Sequence, residues 1–372
     1  MKKKHVISIL LIAVAIGIRL GCFSYVTLDY KNFLMKWVQF FRDNGGFSAL
    51  KYSVGNYNIP YLYFLAAFSY LPVNDLYLIK GLSCIFDFVM ALAGMKIARK
   101  CGASEKAGLC CFFAILFLPT VIINGALWGQ CDSIWTAFAL LGIFYALDGR
   151  PARSIICMAV SFGFKLQAVF ILPVCVLLLI MKKYSWKHFL LFPLSYIVLI
   201  LPAVALGRPF ASALTLYWDQ METVGTAPNY NAPSFNALTH GSGSVAAAFI
   251  ALAVIIVLAV ILRKKLDDRA LIVLAVITVT IIPFLLPHMH DRYFFPADVL
   301  SVVLVFCVAK NLRIPAAAAA ACQQFASLIC YLAYLTTYYI PVGHMYLTND
   351  RGAIAIIISL IIYSLTFADI LL

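Results

Sequence analysis

Long apolar stretches recur from one end of the chain to the other, and this pattern limits the fold more than any other feature of the sequence. Each stretch approaches the roughly 17–25 residues that a helix needs to cross a bilayer, and only short polar segments separate them. Hydrophobic residues make up 64% of the chain and charged residues only 12%, unlike the composition of a water-soluble domain. Because backbone polar groups inside a membrane must be satisfied within the structure, we predict an all-α polytopic membrane protein.

The basic residues are concentrated in a few of the polar segments. Six short segments, 39 residues in all, hold 18 of the 28 Lys and Arg residues: 1–5, 96–106, 148–153, 182–187, 263–269 and 310–313. Segments of this kind face the cytoplasm in membrane proteins. The formal net charge of +13 therefore reflects membrane orientation and not nucleic-acid binding, and both termini are predicted to be cytoplasmic, in a plasma membrane of bacterial type.

This orientation predicts a single transmembrane domain, 1–372, with about twelve spans. The spans lie near 5–24, 76–97, 107–124, 133–148, 153–166, 168–181, 188–206, 244–262, 270–286, 295–309, 314–337 and 352–371. Four segments then face outside: a first loop at 25–75, a second large loop at 207–243, and shorter ones at 287–294 and 338–351. In the first loop, 30–41 and 59–71 predict amphipathic or short apolar helices at the outer membrane surface.

Four polar clusters lie at the predicted outer ends of the spans, although they are far apart in the chain. They are Asp29 with Tyr30; Trp128, Gln130 and Asp132; Lys165 with Gln167; and His288, His290, Asp291, Arg292 and Tyr293. Ionisable groups close to the hydrocarbon are costly and are commonly kept for ion pairing or function. Structural roles stay open for single residues, since Asp132 could cap the helix that begins there and Lys165 could extend to the outer interface.

The cluster at 288–293 admits two interpretations. His288, His290 and Asp291 could supply three ligands to a metal ion, but that spacing needs an extended backbone and no further ligands are clustered with them. Cationic groups beside a wet membrane surface suit a phosphate better, because Arg292 offers a bidentate fork and the histidines add donors. We therefore predict phosphate binding here, without a metal or a cofactor.

A sugar linked to polyprenyl phosphate would use these clusters together. Its tail would stay in the bilayer while Lys165, His288 and Arg292 bind the phosphate and stabilise the charge that develops on it as the sugar leaves. Asp29 is the preferred general base for the acceptor hydroxyl, and a single displacement would invert the anomeric centre. The remaining polar side chains are candidates for substrate binding, namely Tyr30, Trp128, Gln130, Gln167, His290, Asp291 and Tyr293.

Several motifs resemble those of the GT-C superfamily of membrane glycosyltransferases. They are WGQCDS at 128–133, FKLQ at 164–167 and HMHDRYFFP at 288–296, together with Asp29 and the helices of the first outer loop. Within the superfamily, the chain resembles bacterial relatives of the second mannosyltransferase of GPI-anchor synthesis along nearly its whole length. The resemblance implies a polyprenyl- or dolichyl-phosphate sugar donor, transfer outside the cytoplasm, inversion, and Asp29 as the base. It also places Asp132 near the acceptor or a metal, although no paired D-x-D and no large C-terminal soluble domain is present.

A multi-pass transporter or lipid-glycan flippase is the alternative, because it would also have about twelve spans. Charges within the predicted spans, such as Arg19, Lys80 and Asp87, are compatible with it or with an internal ion-pair network. Transporters place substrate groups near the bilayer midplane on repeated, broken helices, whereas the polar clusters here gather at one face. The sequence favours a glycosyltransferase, and the resemblance favours mannose as its sugar. Whether the acceptor is a glycan, a lipid or a protein stays open.

Overall fold

Helices make up nearly all of the regular structure in the computed structural model of the chain, which describes residues 3–222, 227–239, 244–336 and 343–371. Within these ranges the α-helices are α1 (Lys3–Gly21), α2 (Met35–Asp43), α3 (Ile59–Phe68), α4 (Asp75–Lys100), α5 (Glu105–Leu116), α6 (Pro119–Ile122), α7 (Asp132–Leu147), α8 (Pro151–Phe164), α9 (Pro173–Ile180), α10 (Leu191–Ala205), α11 (Phe210–Leu214), α12 (Leu216–Glu222), α13 (Phe235–Thr239), α14 (Ser244–Leu262), α15 (Asp268–Leu285), α16 (Phe295–Cys307), α17 (Arg313–Thr336) and α18 (Gly343–Leu371). Two short strands, β1 (Asn229–Tyr230) and β2 (Met289–His290), pair in parallel.

Six helical segments of the described chain are long and apolar enough to cross a membrane. A seventh span arises if α5 and the segment Pro119–Trp128, which bend by 49° at their break, are counted together. Shorter apolar helices, among them α7 and α8, pack between these long ones. The predicted all-α polytopic membrane fold is therefore confirmed.

The segment at 25–75, which the sequence predicts to be the first outer loop, contains two helices, and neither is a full span. A single turn of π-helix at Tyr30–Leu34 runs directly into α2, which buries Val38 and Phe41 and leaves Lys36 exposed. The second helix, α3, has 10 residues and is therefore about 15 Å long, too short to cross the hydrocarbon alone. Its N-terminus is capped by the side chain of Asn58, which accepts a hydrogen bond from the backbone N–H of Ile59 at 2.8 Å.

The basic segments and the polar clusters lie at opposite ends of the helix bundle. Helix α7 begins at Asp132 and ends beside Asp148, and the Asp148 carboxylate pairs with Lys100 at 2.5 Å and with Arg150 at 2.9 Å. Helix α8 then returns from Pro151 to Phe164 and brings Lys165 back to the end where Asp132 lies. The structure thus separates the two groups along the helix axes, as the predicted topology requires.

Arg19, Lys80 and Asp87, which lie inside predicted spans, all have structural partners. The Arg19 guanidinium lies 2.9 Å from the Asp87 carboxylate and also donates to the carbonyl of Leu116, and this ion pair is buried. Lys80 does not join the pair. Its ammonium group donates to three backbone carbonyls that follow α1, those of Cys22 at 2.9 Å, Phe23 at 3.1 Å and Tyr25 at 2.6 Å. These bonds satisfy carbonyls that the end of a helix leaves open.

Candidate active site

A cavity of about 550 Å³ lies at the end of the bundle opposite to the basic segments. Every one of the four predicted clusters contributes at least one side chain to its lining. The predicted residues that line it are Asp29, Gln130, Lys165, Gln167, His288, His290, Arg292 and Tyr293. Residues far apart in the sequence are therefore brought together around one space.

Asp29 is held by hydrogen bonds from three directions. Its Oδ2 atom accepts from Trp128 Nε1 at 2.9 Å and from Gln130 Nε2 at 2.7 Å, and its Oδ1 atom accepts from the Tyr334 hydroxyl at 2.8 Å. Arg292 Nη1 lies 3.6 Å from Oδ2. The side chain is 16% exposed, so a carboxylate facing the cavity is fixed in one orientation.

The backbone around Asp29 is anchored to α4 and to the turn at 128–130. The Thr27 hydroxyl donates to the carbonyl of Trp128 at 3.1 Å, which ties the start of the first outer loop to this turn. Gly129 adopts φ +81°, a left-handed conformation that favours glycine. The hydroxyl of Ser83 on α4 donates to the carbonyl of Gln130 at 2.6 Å. These bonds place two donors of the WGQ sequence against one carboxylate.

Asp132 lies behind the cavity wall, next to Lys165. Its carboxylate contacts the Lys165 ammonium directly and accepts from Asn124 Nδ2 at 3.0 Å and from Trp135 Nε1 at 2.9 Å. Asp132 is 1% exposed and does not line the cavity, whereas Lys165 does. Helix α7 begins at Asp132, but the hydrogen bonds of this carboxylate go to the side chains of Asn124, Trp135 and Lys165. This geometry suits a residue that positions Lys165.

Arg292 presents a buried guanidinium to the cavity. Its centre lies 5.5 Å from the ring centroid of Trp128, a cation–π distance, and its side chain is 16% exposed. Its Nε atom is buried and has no hydrogen-bond partner among the described residues. Since an unpaired donor of this kind is costly, the guanidinium has capacity for a further acceptor.

The second large loop closes one wall of the cavity through the pairing of β1 with β2. Tyr230 of β1 stacks on His290 of β2, with ring centroids 4.9 Å apart and an angle of 13° between the planes. Burial, together with nearby Arg292 and Lys165, lowers the pKa of His290 to about 3, so this ring is neutral at pH 7. The positive charge of the lining at that pH therefore rests mainly with Lys165 and Arg292.

His288 and Asp291 are both engaged by the protein. His288 Nδ1 lies 2.6 Å from the carbonyl of Ala227, which can only accept, so Nδ1 carries a proton. Asp291 does not line the cavity. Its Oδ2 atom accepts from Asn231 Nδ2 at 3.0 Å, and its Oδ1 atom accepts from the backbone N–H of Arg292 at 2.8 Å. Asp291 thus fixes the backbone that carries Arg292.

Two other predicted substrate-binding residues do not line the cavity. Tyr30 is buried within the first outer loop, and burial followed by the charge of Asp75 raises its pKa. Trp128 is fully buried and reaches the site through its hydrogen bond to Asp29, its stacking on Tyr334 and its cation–π contact with Arg292. Both remain predictions as substrate contacts, and their contacts in the structure favour a positioning role.

Several lining residues carried no recognisable signal in the sequence. They are Trp37, Tyr57, Tyr230 and Tyr334. The hydroxyl of Tyr57 donates to Gln130 Oε1 at 3.0 Å, and Gln130 in turn donates to Asp29. Each is an aromatic residue in a chain with 14% aromatic residues, so only the fold distinguishes them from lipid-facing or core positions.

The described residues contain no group of three or more His, Cys, Asp or Glu side chains suited to a metal ion. The three predicted candidate ligands already contact the protein: Asp291 accepts a hydrogen bond from Asn231, His288 Nδ1 is hydrogen-bonded to the carbonyl of Ala227, and His290 stacks on Tyr230.

Comparison with known proteins identifies a structural relative. The fold matches that of ArnT from Cupriavidus metallidurans, solved bound to undecaprenyl phosphate, with a TM-score of 0.57 and 12% sequence identity. The alignment covers 98% of this chain and 78% of that one. No protein-family model matches the sequence, and no curated protein matches it either. At this identity the likeness shows that the two chains share an all-α polytopic membrane fold.

Proposed function

We propose that the chain is an inverting glycosyltransferase that moves a hexose from a polyprenyl-phosphate donor to an acceptor hydroxyl. One observation carries this proposal. Asp29 is the single carboxylate among the described residues that line the cavity, and it lies beside Arg292, with Lys165 in the same lining. The shared fold adds support, since ArnT is a GT-C glycosyltransferase whose structure holds undecaprenyl phosphate.

The reaction needs a base on one side of the sugar and cations on the other. The acceptor O–H bond breaks and its proton passes to Asp29, while the acceptor oxygen forms a bond to the anomeric carbon. The bond between that carbon and the phosphate oxygen breaks, and its electron pair stays on the polyprenyl phosphate. Lys165 and Arg292 stabilise the charge that grows there, and attack opposite to the leaving group inverts the anomeric centre.

The charges in the cavity wall are balanced before a donor binds. Lys165 is paired with Asp132, and Arg292 is close to Asp29, so each of these basic groups has a protein carboxylate beside it. A donor phosphate therefore shares these cations with protein carboxylates. Nη1 of Arg292 lies 3.6 Å from Asp29 Oδ2, beyond hydrogen-bond distance, so this terminal nitrogen can donate to the phosphate. His288 adds a weaker contact, because its Nδ1 proton is directed to Ala227.

Mannose is the preferred sugar and the non-cytoplasmic face the preferred side. The first preference rests on the resemblance of the 128–133 and 288–296 motifs to relatives of the GPI-anchor mannosyltransferase. The second rests on the basic segments, which lie at the end of the bundle opposite to the cavity. Both termini are then cytoplasmic, and the donor tail reaches the cavity from the outer leaflet.

The decisive experiment replaces the base. Purified protein in nanodiscs is supplied with radiolabelled polyprenyl-phosphate mannose and with alkyl mannoside, lipid or peptide acceptors. We expect Asp29→Asn to lower kcat by about 10²–10⁴-fold while the donor Kd stays within about twofold. Asp43→Asn is the matched control, because Asp43 is an exposed acid of the same outer loop. Full activity of Asp29→Asn, or a wild-type protein that binds no donor, would contradict the proposal.

A further inference from the structure

The two oxygens of the Asp29 carboxylate have different surroundings. Oδ2 accepts two hydrogen bonds, from Trp128 and Gln130, and is also the oxygen nearest to Arg292. Oδ1 accepts only one among the described residues, from the hydroxyl of Tyr334. A carboxylate oxygen has about two acceptor positions, so those of Oδ2 are filled and one on Oδ1 is open.

The single donor on Oδ1 also decides how the carboxylate is oriented. The side-chain torsion that turns an Asp carboxylate is broad, and donors on one oxygen alone leave it loosely defined. The Tyr334 bond at 2.8 Å adds a fixed point on the other oxygen. It therefore sets the plane of the group and the direction of the open position.

The ring of Tyr334 is itself held by the same tryptophan that binds Asp29. The two rings stack with centroids 4.9 Å apart and an interplanar angle of 21°. Trp128 is fully buried and donates to Oδ2, while Tyr334 lines the cavity and donates to Oδ1. The end of α17 is thus connected to both oxygens of the carboxylate.

We propose that Tyr334 is a positioning residue for the transfer reaction, and that Oδ1 of Asp29 is the atom that takes the acceptor proton. This inference rests on the proposed function. Tyr334 occupies one acceptor position of Oδ1 and leaves the other for the incoming hydroxyl, whose O–H bond breaks toward that oxygen. Donor binding uses Lys165 and Arg292 and does not depend on the Tyr334 hydroxyl.

The chain offers a matched pair of substitutions for the test. Tyr331 lies on α17, one turn before Tyr334, and its ring also packs on Trp128, with centroids 5.5 Å apart. Its hydroxyl makes no hydrogen bond to Asp29. Tyr334→Phe and Tyr331→Phe therefore each remove a tyrosine hydroxyl from α17. Only Tyr334→Phe removes a hydrogen bond to the Asp29 carboxylate.

Steady-state transfer from polyprenyl-phosphate mannose is measured for the wild type and both variants. We expect Tyr334→Phe to lower kcat by roughly 10–100-fold with the KM for the donor unchanged, since it removes a hydrogen bond to a charged group. Tyr331→Phe keeps the wild-type kcat. A Tyr334→Phe enzyme with wild-type kcat, or with a loss confined to the donor KM, overturns the inference. If the wild type transfers sugar and Asp29→Asn does not, either of these Tyr334→Phe outcomes refutes only the role of Tyr334. An inactive wild type refutes the proposed glycosyltransferase activity itself.

Discussion

The ammonium group of Lys165 is in direct contact with the carboxylate of Asp132, 33 residues earlier in the chain, and both side chains are buried at the wall of the cavity. The same carboxylate also accepts hydrogen bonds from Asn124 and Trp135. A buried ion pair with further hydrogen bonds is strongly coupled, because removal of one partner leaves an uncompensated charge. The geometry makes Asp132 the group that holds Lys165 in place.

The coupling between these two residues can be measured with a double-mutant cycle. We expect Lys165→Met and Asp132→Asn each to lower the free energy of unfolding by about 3–5 kcal/mol, and the double variant to recover part of that loss. Thermal unfolding in detergent supplies the readout. Asp148→Asn is the comparison, since its partners Lys100 and Arg150 are 41% and 51% exposed and the expected loss is much smaller. Strictly additive losses would show that the pair is not coupled.

Arg292 is expected to be the main contact for the donor phosphate. Arg292→Lys keeps the charge but loses the bidentate hydrogen bonding of the guanidinium and its cation–π contact with Trp128. We therefore expect undecaprenyl phosphate to bind about tenfold more weakly. Arg292→Ala should weaken binding by about 100-fold or more, since a hydrogen-bonded charge is lost entirely. Titration of nanodisc-embedded protein with the lipid gives the Kd. Arg42→Lys is the control, because Arg42 pairs with Asp75 in the first outer loop. Equal affinities for all variants would exclude Arg292 as the phosphate ligand.

The spans could be predicted because their cause is local. Apolar stretches long enough for a bilayer and basic residues between them are visible in the sequence, and the helices α1, α4, α14 and α18 lie where the predicted spans do. The helix α3 has 10 residues, too few for a span, which agrees with the prediction that keeps the basic segment at 96–106 on the cytoplasmic side.

The site could be predicted only in part because its contacts are long-range. The carboxylate of Asp29 and the hydroxyl of Tyr334 are 305 residues apart, and a tyrosine at the end of an apolar helix is ordinary in a membrane protein. Charged residues such as Lys165 and Arg292 were recognised because charge is rare here. Whether the Asp132 side chain lines the cavity or lies behind its wall depends on contacts such as the hydrogen bond from Trp135. The spacing of residues in the sequence does not contain that information.

The stability of the 288–293 segment is expected to depend on pH through Asp291. Burial raises the pKa of Asp291 to about 7, although nearby Arg292 partly opposes this shift. In the unfolded chain the pKa is about 4, so the folded protein binds more protons between these values. Stability is therefore full below about pH 4 and is lost as the pH rises through about 7.

Asp291→Asn removes the titrating group and should flatten this decline. We expect the melting temperature in detergent to fall less between pH 4 and pH 7 for Asp291→Asn than for the wild type, because the two states bind different numbers of protons only in this range. Asp219→Asn, at an exposed acid of the second large loop, should follow the wild-type curve. A decline of the same size in Asp291→Asn would mean that other groups cause the pH dependence.

The side of the membrane on which the cavity lies can be determined by thiol labelling. Of the free cysteines, Cys110 is exposed and Cys22, Cys157 and Cys322 are partly exposed, so these four are first replaced by serine. New thiols are then introduced singly by Asp43→Cys, in the first outer loop, and by Lys264→Cys, in a basic segment; both positions are exposed.

A membrane-impermeant maleimide applied to intact cells should label the Asp43→Cys variant and leave the Lys264→Cys variant unlabelled until the membrane is permeabilised. The physical reason is that loops rich in Lys and Arg remain on the cytoplasmic side, and the structure places the cavity at the opposite end of α7 and α8 from such loops. The reverse pattern would put Asp29 and Arg292 in the cytoplasm, beyond reach of a donor in the outer leaflet. Labelling of both thiols from outside would contradict the separation of the two ends by the bilayer.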